Sequence, residues 1–363
     1  GGRMGEGLLG LPCPTRRTTA LCWAWVSYRS AILSAIQAAE AVATLYHRWI
    51  TGLVLALVAR KGADAAEAFV FRVFRRQHLE RFLPGLEKLG LTAAPHAVAA
   101  AKYHYFSNQL GGVKVEFLEE SPRKAWVRYP PPRWMWEGTA ICGIPSAVNR
   151  AMLYGWHAHN GVTLGNPRLG FVCTKTTVDG QPGLEGYYHE ADRDLAEDER
   201  LQFRPEEACP PIDRERLPRL DHAAWPDERK AKANRNYALE YIRNGLPALI
   251  ELLGPEEARY IGRICGLQIG MHTWDDVAPA LGIEDAAGDW LGALELLLSA
   301  SGDSVERDGE TLHRTVWRLF PDASPGVLTD IWLAPLRGML AVHDRFLELE
   351  SDGTSFKLIP GRG

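Results

Sequence analysis

No P-loop, zincin or α/β-hydrolase signature occurs along the 363 residues. GxxxxGK[ST], HExxH and GxSxG are all missing, and with them the phosphate cradle, the zinc pair and the nucleophile elbow. The six cysteines include no CxxC pair and no framework spacing. Neither a zinc ribbon nor a disulfide scaffold is expected, and free thiols in a reducing compartment are. Excess basic charge is missing too: a formal net charge of −4 offers no general attraction to nucleic acid or to an anionic membrane. The apolar run ITGLVLALVA at 50–59 is too short to span a bilayer. TRRTTALCWAWVSY at 15–28 carries the paired arginines of an export signal. Arg29 cuts its apolar stretch short and no small-x-small cleavage site stands out at the expected distance. A cytoplasmic location is the expectation, and Gly1 to Arg3 ahead of Met4 read as an expression remnant.

What the chain has in plenty is tryptophan, twelve in all. Trp126, Trp134, Trp136 and Trp156 fall within about thirty residues, a density that suits a bulky core or an aromatic-lined pocket. The one basic cluster, FRVFRRQH, sits in a helical pattern and reads as a solvated face.

Periodicity and breakers divide the chain. Helices are expected over 28–59, stopped by Lys61-Gly62; over 64–83, ended by Pro84-Gly85; and over 95–109, ended by Gly111-Gly112. VKVEFLEE and KAWVRYPPP alternate around Ser121-Pro122 as a hairpin. Pro145 and Ser146 open a helix of about eighteen residues, and a second hairpin, RLGFVCTKTTV with LEGYYHE, turns at DGQPG. The segment 192–230 is charged and proline-containing and reads as a surface linker. The second half repeats the plan, with helices at 231–253, 255–272 and 288–300, a hairpin turning at Asp308-Gly309, a helix at 325–347 and a closing strand signal, SDGTSFKLI. AWVRYP at 125–130 resembles VWRLFP at 316–321, and Gly155 and Gly338 both sit mid-helix. The fold class is therefore α+β: a helical N-terminal layer (1–62) and two helix-rich ββ-α-ββ units that read as duplicates (63–191 and 231–363), joined by the linker.

That order of helices, hairpin, helix and hairpin with a Gly turn resembles the small-molecule-binding domain named after the 4-vinyl reductases, over about 64–190 and more faintly over 231–360. The resemblance implies a ligand-binding fold. Aligned on Gly180, the positions that hold zinc in that family fall here on Thr174, Thr177 and Leu184, which cannot bind it.

The site expectation centres on GWHAHNGVTLGN at 155–166. In a strand, the two histidines of His-x-His could reach one metal ion. In a helix they stand about 200° apart, and apolar residues at 148, 152, 153 and 156 give helical spacing. No metal is expected, and His159 is read as a bystander. Helical spacing instead collects Asn149, Leu153, Trp156, His157 and Asn160 on one face. His157 would be a general acid/base, its pKa lying near neutrality. Asn149, Trp156 and Asn160 would bind and orient the ligand. Arg128 beside Trp126 would clamp a carboxylate, Tyr103 would line the pocket, and Cys142, ahead of a helix, is a candidate nucleophile. His104 is expected at an exposed position, and Arg318 beside Trp317 is the repeat's counterpart of Arg128.

The functional expectation is a cofactor-free enzyme of hydrolase or lyase type, acting on a small aromatic or carboxylate-bearing molecule. A non-catalytic sensor or carrier with the same pocket is the alternative. A third reading is an assembly protein using the Gly262/Gly266/Gly270 helix stripe. The expected partner is a small-molecule ligand, with no nucleic acid and no membrane; a homo-oligomer is left open.

Overall fold

The computed structural model describes residues 16–131, 138–285, 287–323 and 326–361, with side chains from residue 35 onward. Trp134 and Trp136 lie outside the described residues, as do the side chains of Cys13 and Cys22.

The first helix, α1 (Arg16–Lys61), is longer than its apolar run suggested. Ala35–Lys61 alone is long and apolar enough to cross a membrane by length and composition. Its most apolar eighteen-residue window is 67% buried inside the protein, with Val42, Leu45, Trp49, Leu53 and Leu57 in the core. α1 lies against α6 (Asp227–Leu253) and α7 (Pro255–Val277), so its apolar side is spent on protein, as in a buried helix of a soluble fold.

α2 (Ala63–Lys88) buries Ala66, Phe69, Val70, Val73, Phe74 and Gln77, a 3,4 spacing that makes one apolar face. It runs through Pro84 rather than stopping there. Phe82 and Leu86, on either side of the proline, are anchored in the core, and Gly85 is seated against the Tyr103 ring of the next helix. Those anchors hold the turn that lacks one backbone bond. After α3 (His96–Leu110) come β1 (Glu116–Ser121) and β2 (Lys124–Tyr129), then α4 (Ser146–Gly155). The expected eighteen-residue helix breaks at Trp156, continues as a 3₁₀ turn over His157–His159 and resumes as α5 (Asn160–Thr163). β3 (Leu169–Lys175) and β4 (Leu184–Glu190) complete the unit, and β5 (Leu201–Phe203), inside the expected linker, adds a parallel edge to β3.

The second half follows with α6, α7, α8 (Trp290–Ser301), β6 (Ser304–Asp308), β7 (Thr311–Val316), α9 (Val327–His343), β8 (Leu347–Ser351) and β9 (Ser355–Pro360). The two sheets share a topology. The first is ordered β1-β2-β4-β3-β5 and the second β6-β7-β9-β8, each with its two hairpins joined antiparallel through their second and last strands. The counterpart of β2 is thus β7 at 311–316, and VWRLFP begins where that strand ends. A single hydrophobic cluster runs through both halves, from Ala41 to Phe356.

Glycine sets the closest helix contacts. Gly262, Gly266 and Gly270 face Ile331, Ala334 and Pro335 of α9, and a Cβ at 270 would overlap the Pro335 carbonyl oxygen. Gly338 of α9 sits as tightly on the Leu267 carbonyl of α7. The stripe is therefore covered within the chain rather than offered to a partner. Gly155 does the same in the first half, where a Cβ would stand 2.8 Å from Phe74 Cβ and 3.0 Å from the Phe71 carbonyl oxygen.

Gly270→Ala should cost about 1–3 kcal/mol, the range for overpacking a tight contact. Gln268→Ala on the exposed side of the same helix should cost less than about 0.5 kcal/mol. Urea unfolding of the two variants checks the difference.

Candidate functional site

The 3₁₀ turn at His157–His159 decides where the expected site residues go. Its backbone turns faster than an α-helix, and the two histidines end in different surroundings. His157 is buried and its ring lies parallel to His104 of α3, centroids 4.2 Å apart. Tyr188 of β4 continues the stack 5.7 Å from His104, and Phe171 of β3 packs on His157 at 4.6 Å. His159 meets His78 of α2 edge-on at 5.2 Å. It is no bystander, because it joins the aromatic row that continues from His78 to Trp156 at 5.5 Å and from Trp156 to His104 at 6.0 Å.

Asn160 ties the cluster together. Its Nδ2 donates to the Tyr188 hydroxyl at 2.9 Å and lies 3.3 Å from His104 Nε2. Its Oδ1, in a side chain with no solvent exposure, has no hydrogen-bond partner among the described residues, and neither do Trp156 Nε1 and Asn149 Nδ2. Buried polar atoms are nearly always paired, so these three mark places where water or a ligand belongs. Beside the cluster is a cavity of about 30 Å³, lined by Phe74, Tyr103, His104, Tyr129, Trp156 and His157, with Tyr237 and Tyr241 of α6 on its border. That volume suits one or two waters. Burial pushes the Tyr103 and Tyr188 hydroxyls well above the usual phenol range, so both stay protonated donors.

Of the expected site residues, the structure brings Tyr103, Trp156, His157 and Asn160 into this one cluster. Asn149 is buried on α4. His104, expected at an exposed position, is 4% exposed and central. The signal for it was weak: the five-residue run Ala97–Ala101 ahead of it fills α3's packing face with small side chains, and only the folded chain shows that the face extends to 104.

Arg128 and Trp126 lie elsewhere. Along β2, Ala125, Val127 and Tyr129 enter the main core, whereas Trp126 joins Val172 and Tyr187 on the opposite side of the sheet. The period of two puts Arg128 on that outer side as well. Arg128 bonds Glu116 at 2.7 Å and approaches Glu185 at 3.4 Å. The segment beyond β5 closes over it: Arg214 bonds Glu116 at 2.7 Å, and the Cys209 amide donates to Glu185 at 2.9 Å. Thr174 donates to the same Glu185 oxygen. Arg128 is thus a strut between two buried carboxylates, not a clamp beside His157. Trp126 donates to Glu120 at 2.7 Å and packs on Tyr187.

Cys142 is exposed in a 3₁₀ turn and makes no hydrogen bond among the described residues. Burial pushes Cys173, Cys209 and Cys265 up to about 12, so none of them is a ready thiolate. Among the described residues no group of three His, Cys, Asp or Glu is spaced to hold a metal ion. In the second half the buried arginine is Arg314, not Arg318. It lies over Trp317 at 4.0 Å and Trp332 at 4.4 Å, paired with Asp303 at 3.4 Å.

Arg128→Met should destabilise the protein by roughly 2–3 kcal/mol, less than a fully buried pair would lose, because Arg128 keeps 29% of its side-chain exposure. Limited proteolysis should then cut first at 204–216, the segment those carboxylates hold. A pH effect is also expected. Burial lowers His47 and His78 to about 3 from 6.5. Above pH 6.5 both are neutral whether folded or not, and the contribution is intact. Between 6.5 and 3 only the unfolded chain takes up these protons, costing the fold about 1.4 kcal/mol per pH unit for each histidine. The urea midpoint should fall from pH 7 to pH 5, and His78→Gln should flatten the drop. Comparison with known proteins finds no matching family model, no matching curated protein and no matching solved structure.

Proposed function

We propose that the chain is an enzyme of hydrolase or lyase type that binds a small aromatic or carboxylate-bearing molecule at the His104–His157 cluster, with His157 as general acid/base. One observation carries this reading. Three side chains marked by their sequence pattern, Asn149, Trp156 and Asn160, all between β2 and β3 of the first half, each keep a buried polar atom without a hydrogen-bond partner among the described residues, and Trp156 and Asn160 lie against His104 of the cluster. The matching helix of the other half, α9, has the fully buried Trp332 at its centre instead. Asn160 and Tyr188 would orient the ligand, and His104 would support His157 face to face. The order of helices and hairpins supports the likeness to the 4-vinyl-reductase-type binding domain. Free thiols at Cys142, Cys173, Cys209 and Cys265 favour a cytoplasmic setting.

The cavity favours a second reading. At about 30 Å³ it holds water but not an aromatic ring, so a substrate must displace Trp156 or Tyr103 before it reaches His157. A carrier that opens only to bind meets that demand without turnover.

A panel of aryl esters and amides, followed by mass spectrometry of the products, separates the two. His157→Gln should lower any turnover at least about a hundredfold, the minimum for losing a general acid/base, while the far-ultraviolet spectrum is kept. Turnover that survives His157→Gln would remove the enzyme reading. Imidazole NMR shifts at His104 and His157 without product would select the carrier.

A further inference from the structure

A second and roomier hollow lies on the surface, where α2, the last turn of α4 and the 197–200 segment meet. Its volume is about 500 Å³. Phe71 and Tyr154 line it and are 37% and 39% exposed, an aromatic pair left partly in water. Arg75 stands beside them, its guanidinium 5.0 Å from the centre of the Phe71 ring. Two backbone bonds hold it there: Nε donates to the Gly155 carbonyl and a terminal nitrogen to that of Tyr154, both at 2.9 Å.

Those acceptors are neutral, so the groups that hold Arg75 in place do not balance its charge. Neither Arg75 nor Arg200, which lines the same hollow, forms an ion pair among the described residues. Half-burial weakens Arg75's hold on its proton, with Glu197 the one acid acting on it. A cation partly removed from water and left unpaired is costly, and an anion relieves that cost. His159 lines the hollow as well, adding a third group able to donate.

Glu197 lines the hollow beside Arg75, without an ion pair to it among the described residues, and the other two acids are set apart. Glu67 lies eight residues before Arg75 on α2, about 12 Å along the axis at 1.5 Å per residue, and Asp64 lies further still. The hollow therefore has one end where two arginines outnumber Glu197 and another that is acidic, with the exposed Phe71 between them. Size, aromatic wall and two arginines outside any ion pair among the described residues together point to a ligand class.

We propose that this hollow binds an aromatic carboxylate, its carboxylate held by Arg75 and Arg200 and its ring laid on Phe71 and Tyr154. The site is separate from the buried histidine cluster, and the proposal stands whether or not that cluster is catalytic. The guanidiniums supply directed donors to both carboxylate oxygens, and the rings supply the area that a small aliphatic acid would leave unused.

Calorimetric titration of the whole chain with benzoate, acetate, phenylalanine and benzylamine tests it. Benzoate should bind, acetate at least tenfold more weakly, and benzylamine more weakly than acetate. Phenylalanine binding at least as tightly as benzoate would extend the proposal to the acidic end. Arg200→Gln should weaken benzoate at least tenfold. Arg75→Gln should do the same, and because it also loosens the end of α4, Arg200→Gln decides the matter if it fails to fold. Imidazole NMR locates the ligand: benzoate should move His159 and leave His104 and His157 in place. Benzylamine binding as tightly as benzoate, no benzoate binding, an unchanged Arg200→Gln variant, or shifts confined to His104 and His157 would each overturn the proposal.

Discussion

The fold hangs on places where two backbones come too close for any side chain but hydrogen. Gly155 seats the end of α4 on α2, and Gly161 seats α5 on β3, where a Cβ would overlap the Leu169 carbonyl oxygen. Between these two fixed points lie only five residues, 156–160, and they include every side chain at the heart of the cluster that comes from this segment. Helix geometry alone would carry His157 around at 100° per residue. Pinned at both ends, the chain tightens into a 3₁₀ turn instead, and His157 goes in against His104 while His159 goes toward His78. The same device operates in the second half, where Gly270 and Gly338 lock α7 to α9. There it packs a core and exposes no chemistry.

The two halves thus spend one topology in different ways. Both sheets run in the same strand order, and both place their helix layer on one side. In the first half that interior is polar and aromatic, with two imidazoles, a phenol and two amides whose demands are only partly met. In the second half the buried Arg314 is met by the buried Asp303, by the Gly353 carbonyl and by the faces of Trp317 and Trp332. A fully satisfied network rigidifies, whereas a partly satisfied one is where binding is to be sought. The outer face of the first sheet belongs to the satisfied kind. Arg128, Glu116 and Glu185 close on one another and on the 204–216 segment, leaving nothing for a ligand to complete.

Most element types could be read directly. The hairpins at 116–129 and 169–190 carry alternation and turn residues, and the helices carry 3,4 spacing, because both patterns arise from local geometry. Errors collected where a tertiary contact overrode a local breaker. Pro84 was a plausible stop, but Phe82, Leu86 and Gly85 hold the helix on its neighbours across it. Trp156 fell on an apolar helical position and yet marks the break, since the demand comes from Gly155's seat on α2. Arg128 and Trp126 were correctly placed in a strand; which side of a strand faces the helices is not encoded in alternation when both sides are well covered. Here the far side is covered by a segment some eighty residues away.

Composition and periodicity by themselves determined the α+β class, the two hairpins of the first half, and one hairpin with a closing strand signal in the second. Such features depend on residues close together in the chain, whose spacing the backbone's own periods translate into faces. Only the tertiary structure decided that His104 faces His157, that Arg128 is a strut, that the glycine stripe is filled by α9, and that Arg75 stands beside Phe71, held by backbone carbonyls. Each of these depends on which distant backbone lies against which, and that is settled by the summed burial of the whole core rather than by any local pattern.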